Sequence, residues 1–256
     1  MRRPFIAGNW KMHGDRKSAK EYIDAFKVPK TVVAKRDIVV GVPFTLLQYW
    51  GTYAKRNKAY LQMAAEDVHW EPKGAFTGDI SVSMLQDFKT PYCIVGHSER
   101  REYHKESNKQ VNQKMDTLLD GGITPIVCVG ETLKEREAGN KEKVVGSQVR
   151  GSILTSARQY DLSRIVIAYE PVWAIGTGKT ATSAQAQEMC KFIRDEIRPK
   201  LGEASDQSIR ILYGGSVKPD NIDELMAKAD IDGVLVGGAS LKAKDFSRIA
   251  NFKLKK

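Results

Sequence analysis

Short runs of apolar, mostly β-branched residues recur along the chain: Phe5 to Gly8, Ile38 to Val42, Tyr60 to Ala65, Tyr92 to Val95, Thr124 to Val129, Ile165 to Tyr169, Ile209 to Tyr213, and Gly233 to Val236. They lack the polar alternation of half-exposed antiparallel strands, so the eight segments read as parallel strands buried on both faces. Between them, apolar residues fall at helical spacing, as in Ser18 to Lys27, Ser81 to Phe88, Val111 to Leu119, the charged stretch Lys134 to Tyr160, and Ala184 to Ile197. Ser81 to Phe88 is the weakest of these. It follows a polar loop, Asp67 to Asp79, that is longer than a minimal connection, and long loops in compact domains are often functional. No Pro/Gly/Ser linker divides the chain and no repeat stands out. Eight strand-helix units in series predict one α/β domain over residues 1–256, a closed (β/α)8 barrel, with an open doubly wound sheet as the alternative.

Composition changes this picture little. Hydrophobic residues make up 41% and charged residues 28% of the 256, which suits a globular chain with a full core. The balance of 41 Lys and Arg against 31 Asp and Glu gives a formal charge of +10, favouring anionic partners such as phosphorylated metabolites, nucleic acid or acidic membranes. The charge alone does not choose among them. Basic residues such as Lys105, Lys109, Lys114 and Lys134 are scattered like solvated helix faces, without a run of five or more and without an aromatic-basic module, so no nucleic-acid partner is expected. Cys93, Cys128 and Cys190 are too few and too dispersed for a disulfide framework or a zinc cluster, which fits a reducing cytoplasm and no metal. The apolar stretch after Arg2-Arg3 stops at Trp10-Lys11, short of a membrane span, and no membrane association is expected.

Chemistry in such barrels collects at the C-terminal ends of the strands. The exits carry Asn9 and Lys11 after the first strand, His97 and Glu99 after the fourth, and Glu170 after the sixth. Gly214-Gly215-Ser216 follows the seventh strand and Gly237-Gly238 the eighth. Each has an ordinary reading. Lys11 can be a surface lysine, Asn9 a turn residue, His97 a helix cap, Glu170 a helix-start carboxylate, and the glycine pairs tight turns. Together, a base, a cation, an imidazole and two glycine-rich turns feeding helix N-termini suit a phosphorylated carbonyl substrate. Gly176-Thr177-Gly178-Lys179-Thr180 looks like the end of a P-loop, but the glycine required five positions before Gly178 is Trp173, and the run does not follow a strand directly. It reads better as the tip of a lid that begins at Pro171 and Trp173.

At the level of whole motifs the chain resembles the triosephosphate isomerase family. The matching segments are Asn9-Trp10-Lys11, Gly96-His97-Ser98-Glu99-Arg100-Arg101, Ala168 through Gly178, Tyr213 through Val217, and Val236 through Leu241, in family order over nearly the whole chain. The resemblance implies a TIM barrel that interconverts dihydroxyacetone phosphate and glyceraldehyde 3-phosphate without a cofactor. It implies that Glu170 removes the carbon-bound proton, that His97, as a neutral imidazole, and Lys11 stabilise the enediolate oxygen, that Asn9 orients Lys11, and that Glu99 belongs to the surrounding network. Gly176, Ser216, Gly237 and Gly238 would bind the phosphate, under a lid of Pro171, Val172, Trp173, Ala174, Ile175, Gly176, Thr177, Gly178 and Lys179. Gly74 through Gly78 is similar to the loop by which family members form homodimers, with Phe76 and Thr77 at the interface. The chain departs from the family pattern at Glu66-Asp67, usually Gln-Asn, and at Asp79, usually Glu. The added negative charge is expected to make a dimer more sensitive to salt or pH. Other chemistry on a phosphate-binding barrel remains the competing enzymatic reading.

Overall fold

Each apolar run becomes a strand: β1 (Phe5–Asn9), β2 (Asp37–Gly41), β3 (Gln62–Ala65), β4 (Tyr92–Val95), β5 (Thr124–Val129), β6 (Val166–Tyr169), β7 (Arg210–Tyr213) and β8 (Gly233–Val236). The computed structural model describes residues 2–156, 161–175, 180–206 and 208–253, with only the backbone at 162 and 201–206. All neighbours pair in parallel, and β8 closes on β1 with Phe5 opposite Gly233 and Gly8 opposite Val236. The open sheet is thereby excluded. The chain is a TIM barrel.

Two-sided burial explains the continuous hydrophobicity. Phe5, Ala7, Val39, Ala64, Ile94, Ile126, Cys128, Val166, Ala168, Leu212 and Leu235 form one apolar cluster. The residues alternating with them, such as Ile6, Val40, Cys93, Val127, Ile167 and Ile211, pack into a second, larger cluster with the helices. Gly233 is required where β8 meets β1, because a Cβ there would lie 1.8 Å from the Phe5 carbonyl oxygen. At the N-terminal face Asp232 takes Arg194 at 2.6 Å, and Asp37 takes both Arg3 and Arg210.

The helices start where their caps direct. Asp15, Ser107 and Thr132 each accept a hydrogen bond from a backbone N–H three residues on, at the starts of Arg16–Ala25, Asn108–Asp120 and Leu133–Glu137. The expected single helix from Lys134 to Tyr160 is instead broken into Leu133–Glu137, Lys141–Val149 and a π-helical turn, Arg150–Leu154, with 157–160 outside the described residues. Gly139, at φ +73°, causes the first break by ending a helix in the left-handed conformation. The expected helix from Ala184 to Ile197 runs longer, over Ser183–Asp206, and Ser81 to Phe88 forms the short helix Val82–Asp87.

Candidate active site

β1 delivers Asn9 and Lys11 to the rim. The buried Asn9 side chain accepts from the Lys11 N–H at 3.0 Å and holds Lys11 at φ +57°, a left-handed conformation unfavourable for a residue with a Cβ. The Lys11 ammonium lies 2.6 Å from Glu99 Oε1. Beyond β4 the chain turns at Gly96, φ +67°, where a Cβ would strike Val111 at 2.9 Å. His97 then caps the helix Ser98–Tyr103, its Nδ1 accepting from the Glu99 N–H at 3.2 Å.

Beyond β6 the Glu170 N–H donates to the Val129 carbonyl at 2.7 Å. The Glu170 carbonyl packs where a Cβ on Gly130 would overlap it, so glycine at 130 lets this strand exit close in. The carboxylate is 2% exposed, with Oε1 3.0 Å from His97 Nε2 and Oε2 accepting from the Ser98 N–H at 3.0 Å. Burial alone would raise the Glu170 pKa, but His97 and the Ser98 N–H outweigh it and hold the carboxyl below its ordinary range. At His97 burial disfavours the imidazolium, whereas Glu170 and then Glu99 favour it, and the net direction is upward. The Glu99 N–H aimed at Nδ1 opposes a second proton, so the ring carries its proton on Nε2, toward Glu170. The expected neutral imidazole thus has geometric support on one side of the ring and an opposing carboxylate on the other.

Gly214 donates to the Tyr169 carbonyl at 2.7 Å, and the Ser216 carbonyl accepts from Asn221 at 3.0 Å, shaping the turn after β7. Gly237 precedes the 3-10 turn Gly238–Leu241, and Trp10 reaches across from β1 to donate to the Ser240 carbonyl at 3.1 Å. Asn9, Lys11, His97, Glu99, Glu170, Ser216, Gly237 and Gly238 all line one cavity of about 770 Å³. Gly176, expected among them, lies outside the described residues with Thr177, Gly178 and Lys179.

The described part of the lid region, Pro171 to Ile175, contains a 3-10 turn at Val172–Ala174. It is anchored on a residue that the strand-exit reading passed over. Glu131, fully buried just beyond β5, accepts from Tyr169 Oη at 3.1 Å, Trp173 Nε1 at 3.0 Å and Arg136 at 3.1 Å, while its carbonyl accepts from the Val172 N–H. Its signal was available, since Gly130-Glu131 ends an apolar run as the other exits do. Phe76 and Thr77 do not line the cavity. They sit on the loop after β3, where every residue from Glu71 to Asp79 is exposed, the Phe76 ring lies tilted against His69 with centroids 4.1 Å apart, and the His69 N–H donates to the Ile80 carbonyl at the loop base. Among the described residues no helix is long and apolar enough to cross a membrane.

The family model described as triosephosphate isomerase matches residues 4–253. The chain is 50% identical over 255 residues to the triosephosphate isomerase of Herpetosiphon aurantiacus, covering 99% of this chain and 100% of the relative. It is 50% identical to the Moorella thermoacetica enzyme over 254 residues, 98% of this chain and 99% of the relative, and 46% identical to one from Prochlorococcus marinus over 99% and 100%. Barrel, strand-exit residues and end-to-end similarity agree, and the chain belongs to the triosephosphate isomerase family.

Proposed function

We propose that Glu170, His97 and Lys11 carry the isomerisation of this family in this chain. The chain is an isomerase, and its reaction interconverts dihydroxyacetone phosphate and glyceraldehyde 3-phosphate in glycolysis and gluconeogenesis. Glu170 takes a proton from the carbon beside the carbonyl, the C–H electrons form the carbon-carbon double bond, and the carbonyl electrons move to oxygen. The hydroxyl proton then passes to the first oxygen by way of the His97 Nε2, the same carboxyl returns its proton to the neighbouring carbon, and the carbon-carbon double-bond electrons take that proton as the second oxygen becomes the new carbonyl. No electron leaves the substrate, so no cofactor is called for. An ordinary carboxylate is a weak base toward carbon, so the enediolate oxygen must be met by fixed donors, the His97 Nε2–H and the Lys11 ammonium, in a water-poor site.

The observation that carries this reading is the buried Glu170 carboxylate held between His97 Nε2 and the Ser98 N–H on the cavity that Lys11 enters. Those donors weaken Glu170 as a base, so it has to leave them to reach substrate. Departure of the carboxylate also removes the main influence favouring the imidazolium, which leaves His97 neutral for its role. Asn9 orients Lys11, and Glu99 balances the Lys11 charge until substrate arrives. Gly176, Ser216, Gly237 and Gly238 hold the phosphate through backbone N–H groups, and the lid from Pro171 to Lys179 closes over the enediolate so that it does not shed phosphate.

The protein acts as a cytoplasmic homodimer, with Phe76 and Thr77 on the loop that enters the partner subunit. The exposed loop supports this, as do Met12, Met84 and Tyr103, large apolar side chains left 95%, 51% and 71% exposed. Isomerisation of glyceraldehyde 3-phosphate in a coupled assay tests the catalytic assignment. Glu170→Gln is expected to lose roughly a thousandfold or more in kcat. A variant as fast as the parent removes Glu170 as the base.

A further inference from the structure

Arginine is seldom buried without a carboxylate beside it. Arg101, partly buried on the helix that His97 caps, departs from this, since its guanidinium hydrogen-bonds to neutral acceptors. Nε donates to the Gly96 carbonyl at 2.8 Å, one terminal nitrogen to Asn108 Oδ1 at 2.7 Å, and the other to the Cys128 carbonyl and to Ser152 Oγ, both at 3.2 Å. The last rung of the β4–β5 ladder is Val95 opposite Val127. Gly96 and Cys128 are the next residues on the two strands, so the guanidinium spans the carbonyls where that ladder ends.

Both carbonyls belong to the frame of the site. Gly96 immediately precedes His97, and β5 continues through Val129, whose carbonyl holds the Glu170 N–H. The left-handed Gly96 is also what admits the arginine, because a Cβ there would stand 3.0 Å from its terminal nitrogen. The π-helical turn at Arg150–Leu154 finds its purpose in the same contact. The wide turn carries the fully buried Ser152 hydroxyl to Arg101 and the Ser152 carbonyl to Asn112 at 3.1 Å, and Gly151 has no room for a side chain against Asn108.

We propose that Arg101 is a positioning residue for the isomerisation: its guanidinium ties the Gly96–His97 turn to the end of β5 and so fixes where the imidazole meets Glu170, while its positive charge favours the Glu170 carboxylate. The inference rests on Glu170 as the base. Arg101 touches no substrate. Its effect is on the mutual placement of the two groups that do.

The test compares Arg101→Met, Arg101→Lys and Ser152→Ala with the parent and Glu170→Gln in one coupled assay, with kcat, KM and the pH profile of kcat/KM measured per folded molecule. Arg101→Met is expected to lower kcat about tenfold to a hundredfold with KM within about threefold. Its acid limb should move up by roughly half a unit to one unit as Glu170 loses a nearby cation. Arg101→Lys should keep the acid limb in place and lose part of kcat, because it retains charge without the planar fork. Parental kcat and an unshifted limb in folded Arg101→Met overturn the proposal. Should that variant fail to fold, Ser152→Ala decides: a kcat lowered about threefold at unchanged KM upholds the proposal, and a parental kcat overturns it. Parental activity in Glu170→Gln is a separate failure, of the base itself.

Discussion

Glu66 and Asp67 are adjacent acids at the exit of β3 with different fates, because only one faces cations. Asp67 meets the Lys114 ammonium at 2.7 and 2.8 Å and Arg100 at 2.7 Å, with Glu106 completing a buried cluster. Its charge, a suspect from the sequence, is compensated inside the chain. The partner lies 47 positions away, a distance over which sequence reading of pairs fails. Glu66 has no such partner. Its Oε1 is buried without a hydrogen bond, and burial pushes its pKa up to about 8, against weaker opposition from the Lys11 backbone and His97. The sign follows from linkage. The folded state holds this proton more tightly than the unfolded chain, so the contribution of Glu66 to stability is intact below its unfolded pKa and is lost as pH rises toward 8. Glu66→Gln removes the titration. With a cost on the order of 2 kcal/mol, the variant should melt roughly 4–8 °C above the parent at pH 9 and close to it at pH 4.5. Melting curves with the same gap at both pH values would count against the unpaired carboxyl as the cause.

Among the elements, the strands were legible because burial on both faces imposes an unbroken apolar run, and the bounds of β1, β2, β3, β6 and β7 moved by only a residue or two. The segment from Lys134 to Tyr160 was not legible as three pieces. Its charge pattern is helical throughout, and the break depends on the backbone sign at one glycine, Gly139, and on a π turn whose Ser152 meets the distant Arg101. The loop after β3 illustrates the reverse, since its length and its likeness to the interface loop were visible and its closure at the base was not. The loop is closed at its base by His69 and Ile80 and exposed from Glu71 to Asp79, which supports the proposed burial of Phe76 against a second subunit. Sedimentation should find the parent dimeric, with a dissociation constant that changes with salt or pH because the departure Asp79 is exposed on the same loop. Thr77→Arg should give monomers at least about tenfold less active, since Lys11 and Glu99 would lose their cover. A salt-independent constant, or a fully active monomer, would contradict this.

At the scale of the whole molecule, residue identity at the rim was legible and geometry was not. Asn9, His97, Glu170 and Gly237 are dispersed over most of the chain, and only ring closure brings them to one cavity. That Glu170 rests on His97 and Ser98, or that Glu131 anchors the Trp173 turn, depends on angles between neighbouring strands that periodicity does not carry. The pairing of β1 with β8 joins residues more than two hundred positions apart, the costliest loop in the fold to close. Besides the ladder, the Trp10 indole on the Ser240 carbonyl and the Arg36 guanidinium on the Ala250 and Phe252 carbonyls cross this join. Lys11 stands on one side and Gly237 on the other, with Lys11 Cε 3.9 Å from where a Gly237 Cβ would be. On the proposed phosphate site, an ester seated between them would act as a removable staple across the seam of the ring. At free ligand about a hundred times Kd, a non-reactive analogue should add about 2.7 kcal/mol to stability. Its protection against amide exchange should extend to β1 and β8, and protection confined to the rim loops would show that the staple does not hold. If that protection is seen, occupancy of the site and closure of the ring are one equilibrium, and substrate itself would hold the barrel shut.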